Sequence, residues 1–122
     1  MTEPIRLDWA TGLLLSATLL LLSFGQILFK WTSGGLSLRD PRTLLSPSLI
    51  AALAVYGIAT VMWILVLKRM PLSLAFPFYG LTFLLVPILA HYLLGEKIGY
   101  QTLVGGAIIM LGVFVTSWGR VG

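Results

Sequence analysis

A continuous small and polar edge on the first apolar segment constrains this chain more than any other feature. The segment, residues 13–31, reads LLLSATLLLLSFGQILFKW. At about 100° per helical residue, six positions fall within an arc of roughly 80°. They are Gly12, Ser16, Leu19, Ser23, Gln26 and Lys30. At about 1.5 Å per residue this polar edge is about 27 Å long, close to the thickness of a bilayer's hydrocarbon core. It must therefore face other helices or a cavity that crosses the membrane.

The composition predicts an integral membrane protein. Of the 122 residues, 58% are hydrophobic and only 10% are charged, whereas a soluble domain has about 25% charged residues. Four apolar stretches are long enough to cross a bilayer. We expect a single domain with spans at about 10–31, 48–67, 72–94 and 100–118. The predicted fold class is an all-α membrane bundle of four transmembrane helices.

The polar residues exclude several classes of function. The net charge of +4 comes mainly from Lys and Arg at helix ends, without a basic cluster that interleaves aromatic residues, so we expect no nucleic acid partner. The absence of cysteine excludes thiol chemistry and a Cys metal site. The chain has one His, no paired carboxylates and no phosphate-cradling Gly loop. The sequence therefore predicts no enzyme, no metal site and no cofactor.

The third and fourth spans also carry features that lipid alone does not explain. Pro77 and Pro87 predict kinks in the third span, because proline removes backbone donors. These two residues share an arc of roughly 80° with Ser73, Gly80 and His91. The third span, like the first, therefore has a face that is not expected to contact lipid. In the fourth span, small-xxx-small pairs predict a helix for packing or dimerisation. The residues concerned are Thr102 with Gly106, and Gly112 with Thr116.

The positive charges predict no preferred orientation. Four lie on the side of the N-terminus, the second loop and the C-terminus: Arg6, Lys68, Arg69 and Arg120. Four lie in or beside the first and third loops: Lys30, Arg39, Arg42 and Lys97. The positive-inside rule is thus balanced. Two alternatives stay open: insertion in both orientations, which would allow an antiparallel dimer, and an orientation set by a partner or by subtler signals.

Three stretches carry a family resemblance through their order and spacing. They are Phe29-Lys30-Trp31, the run PLSLAFPF at residues 71–78, and GEKIGYQTLVGGAIIMLGV at residues 95–113. With these stretches as its best markers, nearly the whole chain resembles the drug/metabolite transporter superfamily in its small four-helix form. The resemblance implies a bundle like that of the small multidrug resistance proteins. Four helices cannot both enclose a path for a polar lipid headgroup across the membrane and shield that path from the surrounding lipid. We therefore expect a homodimer, or a heterodimer with a paralogous four-helix subunit.

One branch of that superfamily fits better than the others. The small multidrug exporters carry a membrane-embedded Glu eight residues before this Lys, where this chain has Leu22. The chain is more similar to the subunits that flip undecaprenyl-phosphate-linked aminoarabinose, which share Gly25-Gln26 before Lys30 and the run at 71–77. This likeness implies a multi-pass flippase of the bacterial inner membrane that moves an undecaprenyl-phosphate-linked amino sugar. A small multidrug or metabolite exporter and a non-transporting subunit of a glycosyltransferase system are the alternatives.

Candidate ligand contacts lie on the polar edge and in the third span. A cation without a buried carboxylate fits an anionic ligand, so Lys30 is the candidate for the lipid phosphate, unless it only reaches the headgroups from a helix end. Gln26 can bond a phosphate, a sugar hydroxyl or another helix. Ser16 and Ser23 either touch ligand or pack helices. Tyr79 and Phe76 either line a cavity beside the sugar or pack within the bundle.

A second group of residues is expected to act in gating or in structure. The resemblance gives this role to Glu96, in the Gly-Glu turn after the third span. Pro77 and Pro87 would supply the motion of the third span. His91 can titrate near physiological pH, but its place near the end of the third span favours an interfacial position or a hydrogen bond to another helix.

Overall fold

The computed structural model describes residues 8–118, so Arg6 and Arg120 lie outside the described residues. The α-helices of this part are α1 (Trp9–Ser33), α2 (Pro47–Arg69), α3 (Leu72–Tyr79), α4 (Thr82–Leu94) and α5 (Tyr100–Ser117). A short 3₁₀ helix, Pro41–Leu45, lies between α1 and α2. Because α3 and α4 together form one span, the described residues contain four segments that are long and apolar enough to cross a membrane. The predicted fold class is confirmed.

Side-chain caps fix where the first two spans begin. Oδ1 of Asp8 accepts a hydrogen bond of 2.9 Å from the backbone N–H of Thr11, and this bond lowers the pKa of Asp8 below its usual value. Oγ of Ser46 accepts one of 3.3 Å from the N–H of Leu49. Each contact satisfies a backbone donor that a helix start leaves free. Pro47 occupies the first turn of α2, where no N–H is needed.

The third span is interrupted at Gly80 and Leu81. Backbone bonds there join residues three apart: the N–H of Gly80 donates to the carbonyl of Pro77 at 2.9 Å, and that of Leu81 to Phe78 at 3.0 Å. A Cβ at position 80 would lie 2.9 Å from the carbonyl oxygen of Pro77 and 3.2 Å from Cγ2 of Ile109. The interruption therefore coincides with a close approach to α5 that requires glycine. By contrast, α4 continues through Pro87.

Helix α1 is the centre of the bundle. It packs against α2 on one side and α4 on the other, whereas α5 packs against α3 and α4. Buried side chains of α1, α2 and α3 form the apolar core, together with Met70 between the second and third spans. The core residues are Leu15, Leu19, Leu22, Ala59, Val66, Met70, Leu74 and Ala75. They occupy the half of the bundle that holds the start of α1, the end of α2 and the start of α3.

The two ends of the bundle differ in what surrounds them. We call the end that holds Asp8, Lys68 and Arg69 the terminal side. The opposite end is the loop side, and it holds residues 34–46 and 95–99. Trp9 and Trp31, near the two ends of α1, are both exposed, as expected for aromatic belts at the two membrane surfaces. Large apolar side chains are exposed along α2 and α5, which gives lipid a surface to contact.

Candidate functional site: a groove between the first and third spans

Two adjoining cavities between α1 and the third span form one groove. The deeper cavity has a volume of about 300 Å³ and is lined by Leu22, Ser23, Gln26, Tyr79, Thr82, Phe83, Val86 and Pro87. The outer cavity has a volume of about 470 Å³ and is lined by Gln26, Ile27, Lys30, Val86, Ala90, Leu94 and Glu96. Gln26 and Val86 line both cavities, so the two meet at this level. Each volume is in the range of small-molecule sites, about 300–1,000 Å³.

The groove is accessible from the loop side and closed on the terminal side. Between Ser23 and Lys30, α1 rises by about 10 Å, roughly a third of the hydrocarbon thickness. Leu22 forms the floor of the groove and is also part of the apolar core. Below it, Leu19 and Leu74 are fully or almost fully buried. A polar headgroup that entered from the loop side would meet packed apolar side chains at about mid-membrane depth.

The polar edge of α1 contributes three side chains to the groove. Ser23 and Gln26 line the deeper cavity, and Gln26 and Lys30 line the outer one. Oγ of Ser23 is buried and donates to the carbonyl of Leu19 at 2.7 Å, whereas Gln26 and Lys30 are exposed. Ser16 is also exposed but lines neither cavity. The groove therefore uses the loop-side half of the edge.

The third span supplies a mostly apolar wall. Tyr79 lines the deeper cavity and packs edge-on against Trp63, with 5.4 Å between ring centroids. Phe76 lies outside both cavities, is 62% exposed, and stacks on Tyr79 at 5.9 Å. Thr82, which the sequence pattern did not indicate, also lines the deeper cavity, and its Oγ1 donates to the carbonyl of Tyr79 at 2.8 Å. In the sequence, the feature that could have indicated Thr82 is its hydroxyl within an otherwise apolar stretch.

The face of the third span that was predicted to avoid lipid lies mainly outside the groove. Of its five residues, Pro87 lines the groove, whereas Gly80 approaches Ile109 of α5. The groove wall is rotated by roughly a quarter turn from that face. It carries Phe83 and Val86, which are indistinguishable in sequence from residues that face lipid.

A capped turn brings Glu96 to the mouth of the groove. Gly95 ends α4 in the left-handed conformation with φ of 71°, which glycine adopts without strain. The N–H of Glu96 then donates to the carbonyl of Ala90 at 3.2 Å. Nδ1 of His91 lies 2.8 Å from the carbonyl oxygen of Glu96, and because a carbonyl only accepts, His91 is the donor. Residue 91 thus holds the turn from which Glu96 lines the outer cavity.

The three packing residues predicted in α5 have different surroundings. A Cβ added to Gly106 would lie 2.7 Å from Cδ1 of Leu84, so Gly106 serves the contact between α4 and α5. Gly112 and Thr116 are exposed, and no atom of residues 8–118 lies within 4 Å of a Cβ added to Gly112. Oγ1 of Thr116 donates to the carbonyl of Gly112 at 2.8 Å. Of these three residues, Gly106 is the one that packs against another helix among the described residues.

Comparison with known proteins gives a family and several named relatives. The profile of the EamA-like transporter family matches residues 7–118. A protein of Pseudomonas savastanoi pv. phaseolicola, "Probable 4-amino-4-deoxy-L-arabinose-phosphoundecaprenol flippase subunit ArnE", is 36% identical over 85% of this chain and 94% of its own length. Relatives of the same name from Pectobacterium atrosepticum and Pseudomonas syringae pv. syringae are 34% and 32% identical, over 84% and 83% of this chain and 94% of their own lengths. No solved structure matches the chain.

Proposed function

The chain belongs to the EamA-like transporter family, and from this premise we propose that it is a flippase subunit for an undecaprenyl-phosphate-linked amino sugar such as aminoarabinose. It is a multi-pass protein of the bacterial inner membrane. The observation that carries the proposal is the groove between α1 and α4, with Lys30 at its mouth and polar side chains along its depth. The names of its relatives, which specify a flippase subunit for this kind of lipid, support the same activity.

The groove suits a headgroup that joins a phosphate to a sugar. The ammonium of Lys30 is a point charge that pairs with the phosphate at the level of the lipid headgroups. Gln26 and Tyr79 offer hydrogen bonds to sugar hydroxyls further in. Phe83 lines the deeper cavity and is also 62% exposed, so this cavity has an open flank within the membrane. The polyprenyl tail stays in lipid beside that flank while the headgroup moves.

Movement across the bilayer requires the terminal side to open. The apolar core, which includes Leu19 and Leu22 of α1 and Leu74 of the third span, must open for the headgroup to continue along α1. The interruption at Gly80 divides the third span into two helices, which supports a hinge at this point. Ser16, which is exposed on the terminal-side half of the polar edge, would line the path once that side opens.

A second subunit would complete the path. The relatives are named as subunits, and the described helices leave Gln26 and Phe83 exposed along the groove. A homodimer or a heterodimer with a paralogous four-helix chain would cover them. The alternative of a small multidrug exporter requires a membrane-embedded carboxylate at the position of Leu22. Leu22 is not ionisable, is 3% exposed and belongs to the apolar core.

Reconstituted vesicles test this function. Proteoliposomes carrying polyprenyl-phosphate-linked aminoarabinose are treated with an impermeant amine reagent, and the reacted fraction of lipid is followed over time. We expect the fraction to rise above the outer-leaflet share when the chain is present, alone or with a paralogous subunit. Protein-free vesicles are the control. If the reacted fraction stays at the outer-leaflet share both with the chain alone and with the chain plus a paralogous subunit, flipping is not its function and a non-transporting subunit is the remaining interpretation.

A further inference from the structure

We propose that Glu96 recognises the protonated amino group of the sugar, so that the mouth of the groove selects a zwitterionic headgroup. In this arrangement Lys30 pairs with the phosphate and Glu96 with the ammonium of the same ligand. The inference rests on the proposed function and adds to it a specificity-determining residue and the charge pattern of the substrate.

Two residues of opposite charge, Lys30 and Glu96, line one cavity from different elements. Lys30 lies in the last turn of α1, and Glu96 lies in the turn after α4. Both line the outer cavity of about 470 Å³. Glu96 is the acidic residue among the lining residues of either cavity. Asp40, Arg39 and Lys97, which are on the same side of the membrane, are exposed and line neither cavity.

Within residues 8–118, neither charged side chain forms a hydrogen bond or an ion pair with the rest of the protein. Among residues 8–118, the hydrogen bonds of Glu96 involve its backbone N–H, which donates to Ala90, and its carbonyl, which accepts from His91. The hydrogen bond to Lys30 beyond the ladder of α1 comes from Oγ of Ser33 to its backbone carbonyl, at 2.6 Å. As far as the described helices and loops are concerned, the carboxylate and the ammonium are therefore both available to a ligand.

The backbone that carries Glu96 is held in place before any ligand arrives. The left-handed Gly95 and the bond from His91 to the carbonyl of Glu96 fix the turn on both sides of its Cα. A carboxylate on a fixed backbone loses less conformational freedom on binding than one on a mobile loop. The turn is thus suited to selecting a ligand group and not only to connecting two spans.

A pair of opposite charges selects by rejection as well as by attraction. Lys30 alone would attract every polyprenyl phosphate, including the carrier without a sugar. A carboxylate in the same cavity repels such anions and is left without a partner by a neutral sugar. An ammonium on the sugar satisfies it with a charge-assisted hydrogen bond. Sites built to bond a polar group reject analogues that lack it far more strongly than apolar pockets do.

The test compares two substrates in the same proteoliposomes. One carries a polyprenyl-phosphate-linked 4-amino-4-deoxypentose and the other the corresponding pentose with a hydroxyl; an impermeant diol-cleaving oxidant reports both. We expect the wild-type complex to move the amino sugar faster, and Glu96→Gln to lower the ratio of the two rates by about tenfold. Because the ratio is measured on one preparation, differences in folding or yield cancel. Asp40→Asn removes the same charge from the same side and should keep the wild-type ratio.

The outcomes distinguish recognition of the ammonium by Glu96 from the flippase function itself. A ratio that falls in Glu96→Gln but not in Asp40→Asn supports recognition of the ammonium. A ratio that Glu96→Gln leaves unchanged overturns it, while the flippase assignment stands. Equal wild-type rates for the two substrates also overturn it. If the wild-type complex moves neither substrate, the proposed function fails and this inference fails with it.

Discussion

Lys30 has two physical interpretations, and its surroundings favour one of them. A lysine in the last turn of a spanning helix commonly reaches the headgroups, where it needs no partner. Here the residue lies beside Trp31 at the membrane surface and also lines the cavity that continues to Gln26 and Ser23. It is therefore placed where a headgroup would first leave the surface.

Substitution of Lys30 separates these two interpretations. Lys30→Ala should slow flipping at least about tenfold, because a charged hydrogen bond to phosphate contributes roughly 1.5–3 kcal/mol. Lys30→Arg should retain part of the rate, since it keeps the charge. The rate is measured in the proteoliposome assay. Lys97→Ala is the matched control, because Lys97 is exposed on the same side and lines neither cavity. Equal rates for the two alanine variants would assign Lys30 to the membrane surface alone.

The sequence indicated one wall of the groove and not the other. On α1, the spacing of Ser23, Gln26 and Lys30 selects one helix face, because polar groups in an apolar helix stand out. The opposite wall is carried by residues such as Phe83 and Val86. Their sequence pattern is that of any lipid-facing helix, so only the packing of α4 on α1 identifies them.

At the scale of elements, α4 and α5 illustrate how small residues divide their roles. Gly106 lies against Leu84, whereas none of the described residues lies close to where a side chain at Gly112 would begin. The small-xxx-small pattern predicted close packing for both without distinguishing a contact inside the chain from one outside it. Helix α5 packs on α3 and α4, and that placement, which no spacing in α5 specifies, decides which glycine is covered.

Alanine at these two positions should therefore have different effects. Gly106→Ala places a methyl group 2.7 Å from Cδ1 of Leu84 and should lower the free energy of unfolding by about 1–3 kcal/mol. Gly112→Ala, the control, should leave it unchanged or raise it slightly, because alanine favours helix. Unfolding of the purified monomeric chain in mixed detergent measures both. If Gly106→Ala is as stable as Gly112→Ala, the close contact between α4 and α5 is wrong.

The interruption of the third span is the element for which a mechanical role can be measured. Pro77→Ala returns an N–H that can bond the carbonyl of residue 73, which extends the ladder of α3. We expect slower flipping with equal or greater resistance to unfolding, because a stiffer span opens less readily. Pro47→Ala is the control, since Pro47 lies in the first turn of α2 where no donor is missing. An unchanged flipping rate in Pro77→Ala would argue against a hinge here.

For the whole molecule, apolar length and composition were sufficient to predict the four spans. The runs of Leu, Ile, Val and Phe leave few alternatives in a bilayer, where backbone groups must be satisfied within helices. The order of packing, with α1 between α2 and α4, could not be predicted, because each helix is apolar around most of its circumference. The loop-side groove and the terminal-side core follow from that order.

The chain contains no cysteine, so a single introduced thiol reports access to the groove. Gln26→Cys places the thiol where the two cavities meet, on an exposed residue. Ser16→Cys places one on the same edge of α1, also exposed but outside both cavities. Ser37→Cys, in the exposed first loop, identifies the loop side of the membrane.

The most direct test measures how a membrane-impermeant thiol reagent reacts with these variants, with and without the lipid-linked amino sugar. The groove predicts that Gln26→Cys reacts from the loop side, that Ser16→Cys does not, and that the lipid slows the reaction of Gln26→Cys several-fold. It also predicts that the reagent reacts with Ser37→Cys equally with and without the lipid. A rate at Gln26→Cys that the lipid leaves unchanged, or no reaction from the loop side, would contradict passage of the headgroup between α1 and α4.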